Sequence, residues 1–346
     1  FKKVRGLAIG ANSSSMVTKG GLFFIWKSDS FALTPRDSTI QNYNNIRFNI
    51  DPYIVYTNEK IGRHSLRTRY FLTNNVNDKD QGSRAELYYG EYQWQKKFGT
   101  TLNLTGGAVH MKQVVLGEPL YGNHFGSNIA GYVQADKRFF NRLTVSVGAR
   151  AEYYKLDTAE TRGGFFFLDA PKKTNMPVQP VFRAGLNYQA LEYTFIRASF
   201  GQGYRFPTVA EKYINTFVSS LNIFPNASLQ PELGWSAELG IKQGFKISNF
   251  RGFLDVAGFL TEYHNMIDLV FMYDTAGITI NTINDFLDNA GFQFRNLGRG
   301  KISGVDVTLS GTGKIGPVQT TILTGFTFTN PINPDFNPNV DTTGPV

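Results

Sequence analysis

Alternation is the feature that most restricts what this chain can fold into. In NRLTVSVGARAEYY (141–154), Leu143, Val145, Val147, Ala149, Ala151 and Tyr153 form one row, and Thr144, Ser146, Gly148, Arg150, Glu152 and Tyr154 form the other. A period of two is that of an extended strand, whose side chains leave alternately on opposite faces. One face is apolar and the other carries Arg and Glu. The pattern recurs at Ile46, Phe48, Ile50, Ile54 and Tyr56, set against Arg47, Asn49, Asp51 and Thr57. It returns at Leu66, Tyr70 and Leu72, against Arg63, Ser65, Arg67 and Arg69. Leu239, Ile241 and Phe245 alternate with Glu238 and Lys242, and Val305, Val307 and Leu309 with Asp306, Thr308 and Ser310. About fourteen segments of roughly 10–13 residues read this way, longer than the ~5–6 usual in globular sheets and close to the ~9–11 that span a bilayer.

The connections alternate too. Short ones are expected at 95–99, 139–141, 189–191, 246–249 and 312–316. Long ones are expected at about 29–45, 74–83, 111–127, 155–178, 202–232 and 264–299. Tight turns at one end and long loops at the other are the arrangement of an outer-membrane barrel. Backbone groups in hydrocarbon must all be hydrogen-bonded, so only helices and closed barrels cross it. No run of eighteen apolar residues is present, which excludes a transmembrane helix. The apolar row of 143–153 then faces lipid and the row of 144–154 faces the interior. Tyr88, Tyr89, Tyr153 and Tyr154 fall where an aromatic girdle is expected. Pro52, inside a strand pattern, cannot donate a ladder hydrogen bond and predicts a bulge or kink.

Composition agrees. The 346 residues include 35 Gly, 17 Tyr and 30 Phe, a mixture that favours turns and strands. The absence of Cys excludes disulfides, thiolate metal sites and a Cys nucleophile. A net charge of +8 is spread over isolated pairs such as Lys96-Lys97, and a nucleic-acid partner is not expected. FKKVRGLAIGANSSS, at the start, is too short and too polar for a signal peptide and reads as a strand.

Three stretches carry a family resemblance. ASFGQGYRFPTVAEKY (198–213) resembles a signature of TonB-dependent outer-membrane receptors, through Gly201, Gly203, Tyr204, Arg205, Pro207, Thr208 and Glu211. NASLQPELGWSAELGIK (226–242) is similar to their Asn-Pro-x-Leu-x-Pro-Glu motif, through Asn226, Leu229, Pro231 and Glu232, with Ala227 in place of the usual Pro. NLGRGKISGVDVTLS (296–310) looks like their Asn-x-Gly and Gly-Val-Glu strand, through Asn296, Gly298 and Gly304, with Asp306 for Glu. The three follow the family's order. The resemblance implies a 22-stranded barrel filled by a plug, in the outer membrane of a Gram-negative bacterium. It implies capture of a scarce large solute by the outer loops, with TonB, energised through ExbB and ExbD, pulling on the plug. No plug and no TonB box are seen in these 346 residues. Motif position suggests that roughly four strands precede Phe1 and four follow Val346, making this the interior part of a longer polypeptide. The signatures are expected to be architectural.

Other site readings are weaker. GQGYRF lacks the βαβ flanks of a dinucleotide loop. His64, His110, His124 and His264 are scattered without ligand spacing; the last three are expected in loops. NVNDKDQG (75–82) offers Asp78 and Asp80 but lacks the closing Glu of a calcium loop. No metal site and no cofactor are expected. No Gly-x-Ser-x-Gly elbow occurs, so catalysis is not expected either. Arg63, Arg67, Arg69, Arg150, Glu152, Glu238 and Lys242 are the candidate lumen-lining charges, facing a plug, one another or an anionic solute.

The leading expectation is a receptor for TonB-energised uptake of a siderophore, a cobalamin-like compound or an oligosaccharide. Outer-membrane lipid is an expected partner, and a surface lipoprotein is a further candidate. The alternatives are a passive porin or fatty-acid-type channel of fourteen strands, and a structural piece of a larger surface assembly.

Overall fold

In the computed structural model, residues 1–3, 24–25, 29–32, 38–39, 79–81, 118–119, 157–173, 176–177, 219–220, 274–289 and 336–346 are not described; the rest are. Seven long strands come first: β1 (Leu7–Leu22), β2 (Gln41–Asn58), β3 (Gly62–Asn77), β4 (Ser83–Phe98), β5 (Leu102–Gly117), β6 (Gly122–Phe139) and β7 (Leu143–Leu156). The two-residue β8 (Thr174–Asn175), β9 (Gln179–Leu191) and β10 (Thr194–Arg205) follow. Then come helix α1 (Val209–Tyr213), β11 (Thr216–Val218) and β12 (Leu221–Phe224). The remainder is β13 (Glu232–Ile247), β14 (Phe250–His264), β15 (Ile267–Tyr273), β16 (Ala290–Asn296), β17 (Arg299–Ile315) and β18 (Val318–Ile332).

One fourteen-stranded sheet contains the long strands in the order β1-β2-β3-β4-β5-β6-β7-β9-β10-β13-β14-β17-β18, with β8 attached to β7. Every pair on that path is antiparallel. A second, four-stranded sheet, β11-β12-β16-β15, is built from the connections between β10 and β17. Its central pair, β12 with β16, is parallel.

Period two holds through the ladders. Val147, Leu239, Val305 and Phe326 stand 41–65% exposed on one face, an apolar belt with no protein against it, as a lipid-facing wall requires. The opposite face carries Asp51, Glu91, Arg150, Arg197 and Glu238. Among the described residues no helix is long and apolar enough to cross a membrane. The main strands run 12–18 residues rather than 10–13, because they continue beyond the belt at the end bearing the long connections, here called the outer end.

The other end has tight turns. Phe140 and Asn141 both have positive φ (50° and 57°), the pairing a two-residue I′ hairpin turn demands. Several expectations need correction. Residues 111–127 are not a long loop. β5 and β6 run through them and are joined at 118–121, the Gly and Asn of GNHFGSN having hidden an inward polar row. His110 and His124 are therefore strand residues. Pro52 makes no bulge: Asp51 and Pro52 drop out of the β2–β3 ladder, yet Ile50↔Tyr70 and Tyr53↔Arg67 keep one register. The Thr68 hydroxyl donates to the Pro52 carbonyl instead, at 3.1 Å. The Tyr pairs split by parity: Tyr88 and Tyr153 face outward, while Tyr89 and Tyr154 face inward and Tyr154 is buried.

Candidate functional site

The inward face is a wall of paired charges. Arg69 holds Asp51 at 2.7 Å from β3 to β2. Glu91 accepts from the Tyr89 hydroxyl at 3.0 Å and from Tyr132 at 2.8 Å. Arg150 pairs with Glu152 at 2.6 Å. Arg197 on β10 bridges Glu238 (2.8 Å) and Asp255, joining three neighbouring strands. Lys242 lies 3.7 Å from the centre of the Phe253 ring. Arg63 and Arg67 line a cleft of about 760 Å³ with Asp51, Tyr89 and Glu91. By register the seven charges lie on one face of the sheet, opposite the apolar belt; Arg69, Arg150, Glu238 and Lys242 have their nearest partners on that face. No group of three metal-ligating side chains occurs among the described residues. Asp78 accepts from Asn42 at 3.1 Å, and Asp80 lies outside the described residues.

The three sequence signatures meet at the outer end. Pairing of β10 with β9 stops at Gly201↔Arg183, whereas pairing with β13 continues to Arg205↔Glu232. The Gln202 side chain then replaces the lost ladder bond by accepting from Phe182 N at 3.0 Å. Freed from β9, the tip of β10 makes contacts with β7, α1 and β13. Tyr204 donates to Glu152, whose other oxygen accepts from Asn128. Arg205 donates to both oxygens of Glu211 at 2.8 Å and to Glu232 at 2.6 Å.

The following loop turns inward. Thr208 is the N-cap of α1: its hydroxyl accepts from Glu211 N at 3.2 Å, and Glu211 accepts back from Thr208 N at 2.7 Å, a capping box. The Thr-x-x-Glu spacing was the signal for this helix, and reading the segment as strand and loop alone missed it. Val209 and Tyr213 pack on Tyr154 and Leu156 of β7, helped by Val115, Tyr121 and Phe206. Tyr213 also stacks on His124, with ring centres 4.0 Å apart and planes 12° from parallel. Lys212 is fully buried and donates to the Leu229 carbonyl at 3.0 Å; burial lowers its pKa to about 8. Beside this packing lies a cleft of about 420 Å³, lined by Gln113, Tyr121, Asn128, Glu152, Tyr204 and Phe206 among others.

The second and third signatures lock the loop from behind. Asn226 accepts from Ser228 N at 3.1 Å and donates to the Phe294 carbonyl at 2.8 Å. Glu232 accepts from Ile267 N at 2.7 Å. Asn296 donates to the carbonyls of Gln230 (3.0 Å) and Asn265 (2.8 Å) and accepts from Gln230 N (2.8 Å). At Gly304 a Cβ would meet the Phe328 carbonyl at 2.3 Å and the Phe259 ring at 2.4 Å. At Gly298 it would meet the Asp335 carboxylate, which accepts from Arg299 N at 2.6 Å. Pro231 is buried, and Asp306 lies across from Ala257 and Thr327 on the inward face. Gly201 and Gly203 have open space around them.

This arrangement matches known architecture. A family model described as TonB dependent receptor-like, beta-barrel, matches residues 16–345. No curated protein matches the chain by sequence. Among solved structures, the FrpB iron transporter of Neisseria meningitidis (F3-3 variant) is similar, with a TM-score of 0.67, 11% identity, and 94% of this chain covering 50% of that one. The Serratia marcescens hemophore receptor HasR, in complex with its hemophore HasA and heme, gives 0.63 at 16% identity, over 86% of this chain and 52% of that one. The siderophore receptor PirA of Pseudomonas aeruginosa gives 0.61 at 14%, over 95% and 61%. The chain thus spans about half the length of these proteins.

Proposed function

Because the chain belongs to the TonB-dependent receptor-like β-barrel family, a family of outer-membrane transport receptors rather than enzymes, we propose that it forms the wall and outer rim of an uptake receptor. The solute is scarce and too large for passive entry: a ferric siderophore, heme, a cobalamin-like compound or an oligosaccharide. Energy comes from TonB with ExbB and ExbD, acting through a plug inside the wall. The observation that carries this reading is the inward-folded segment 206–231. Val209 and Tyr213 seat it on Tyr154 and Leu156 of the wall strand β7, and Asn226 and Gln230 tie it to Phe294 and Asn296 of β16 in the second sheet. A receptor uses it to set aromatic and charged groups where a solute enters: Tyr121, Tyr204, Phe206, Glu152 and Asn128 line one cleft. An alternating wall of Arg, Glu and Asp offers paired sites to a plug below.

The test is uptake of labelled ferric siderophores, heme, cobalamin and oligosaccharides by cells carrying or lacking the full-length gene, in backgrounds with and without TonB. Accumulation of one solute that needs both the gene and TonB is expected. Uptake that is independent of TonB and linear in solute concentration would instead establish a passive channel.

A further inference from the structure

The wall has a seam. β9 and β10 pair only from Leu191↔Thr194 to Arg183↔Gly201, a shorter ladder than either of its neighbours. β9 stays paired with β7 up to Gln179, and β10 with β13 up to Arg205, so the two edges part above Arg183. The sequence keeps them apart. Phe182 N is directed at β10, where the Gln202 side chain accepts from it at 3.0 Å. Residues two apart on a strand turn their N–H groups to the same neighbour. The next N–H on that side would belong to position 180, which is proline and has none. Above the ladder β9 therefore offers no free N–H toward β10. Gly201 and Gly203 add no side chain there, and a Cβ on either would have nothing within 4 Å. An opening whose edge lacks free donors is one that an apolar medium tolerates.

Height and chemistry indicate what fills it. The ladder's eight pairs, at ~3.3 Å per residue and tilted about 40°, rise roughly 20 Å, short of a lipid-facing band of about 25 Å. The outward row of β9 agrees. Tyr188, Leu186, Ala184 and Phe182 run on through Pro180 to Val178, apolar past the last pair, with Phe182 and Val178 each 56% exposed. Against the seam lies a cleft of about 430 Å³. Its lining includes Phe182 and Gln202 from the two lips, and Tyr132, Arg150 and Arg183 from the inner wall. Arg183, the last residue of β9 paired with β10, donates to the Gln134 amide oxygen and forms no ion pair among the described residues. A cation without an acid at the inner lip and an apolar slope at the outer one suit a molecule with an anionic head and a hydrocarbon chain.

We propose that the seam between β9 and β10 takes the hydrocarbon chain of an acylated anionic solute. The head lies in the cleft on Arg183, and the chain runs out between Gln202 and Phe182 along Pro180 and Val178. This rests on the uptake reading and narrows its solute to one that carries an acyl chain.

The test uses the full-length receptor in phosphatidylcholine nanodiscs. The probe is dodecanoate carrying a mid-chain diazirine, its adducts mapped by peptide mass spectrometry. Adducts at 178–182 and 200–204 should exceed those at the equally apolar Leu239 and Ile241 about tenfold, the worth of one hydrogen bond to a charged group. An excess of plain dodecanoate should remove the difference, and R183Q should reduce it to parity. P180V/Q202V restores an N–H to β9 and removes the side chain that holds Phe182 N. Positions 182 and 202 can then pair, so the seam should close and labelling should again reach parity. Folding is checked by heat-modifiable migration, and R183Q decides if the double variant fails to fold. Even labelling along the wild-type wall overturns the seam. Undiminished enrichment in R183Q, or equal enrichment with the uncharged dodecanamide probe, overturns the anionic head. Enrichment that excess dodecanoate does not displace marks ordinary lipid contact and overturns the solute assignment. The labelling needs no TonB, so its failure leaves the uptake reading standing, and failure of TonB-dependent uptake would not abolish it.

Discussion

Raising the pH from 7 to 9 should tighten the inward-folded segment, through Lys212. This side chain is fully buried, with the Leu229 carbonyl as its hydrogen-bond partner, and burial lowers its pKa from 10.5 to about 8. The sign follows from proton counting. Between pH 8 and 10.5 the opened segment holds a proton on Lys212 that the packed segment has lost, so packing gains free energy as pH rises. Below pH 8 both states are protonated and the packed state carries the whole cost of a buried ammonium, on the order of 3 kcal/mol for a shift of this size. From pH 7 to pH 9 the gain is on the order of 1 kcal/mol, roughly five- to tenfold in the ratio of packed to opened segment. The chain has no Cys, so Ala210→Cys, at an exposed position of α1, gives a unique site for an environment-sensitive dye. Urea titration of the dye signal should show the opening midpoint rising between pH 7 and 9. Lys212→Met keeps the volume and removes the titration, so its midpoint should stay flat. An equal rise in both proteins, or a flat midpoint in wild type, would refute the argument.

Arg205→Gln should leave Glu211 and Glu232 facing each other without a cation and loosen α1 by roughly 1–3 kcal/mol, between the values for exposed and buried pairs, seen as faster hydrogen exchange over 209–213. Gly304→Ala should destabilise the wall by roughly 1–3 kcal/mol in urea unfolding, because its Cβ has only the Phe328 backbone and the Phe259 ring to displace. Gly203→Ala, with nothing within 4 Å, should stay within about 0.5 kcal/mol of wild type by the same measurement. Asn296→Ala removes three hydrogen bonds that join Gln230 to Asn265 and should lower solute affinity in equilibrium binding more than it lowers urea stability of the wall.

The wall was legible because its signal is long-range and redundant: one period repeated over many strands, with charges confined to one parity. That is why Arg150, Glu152 and Glu238 could be set inward from sequence alone. The rim was less legible. Gly122, His124 and Gly126 looked like a loop because His124 is buried under Tyr213 of α1, a residue some ninety positions away, and no local pattern reports that. Strand ends were drawn short because the outward rows turn polar above the belt, where lipid no longer selects for apolar side chains. The Thr208–Glu211 spacing did announce a helix start, but the helix is only five residues long and the surrounding strand pattern masked it. The signatures themselves show why they have their form. Arg205 joins two acids from two different motifs, which no single motif read alone suggests.

The parallel pairing of β12 with β16 also bears on how such receptors can diversify. Asn222, Pro225 and Asn226 are bonded to residues 68 positions later, and Phe224 pairs with Gln293. Two connections that are far apart in the gene are thus one object in space. A graft that replaces either connection alone leaves an orphaned strand edge over the mouth. Exchange between relatives, natural or engineered, should therefore carry both segments together with the strands between them, and chimaeras cut between 232 and 264 should be the ones that fail.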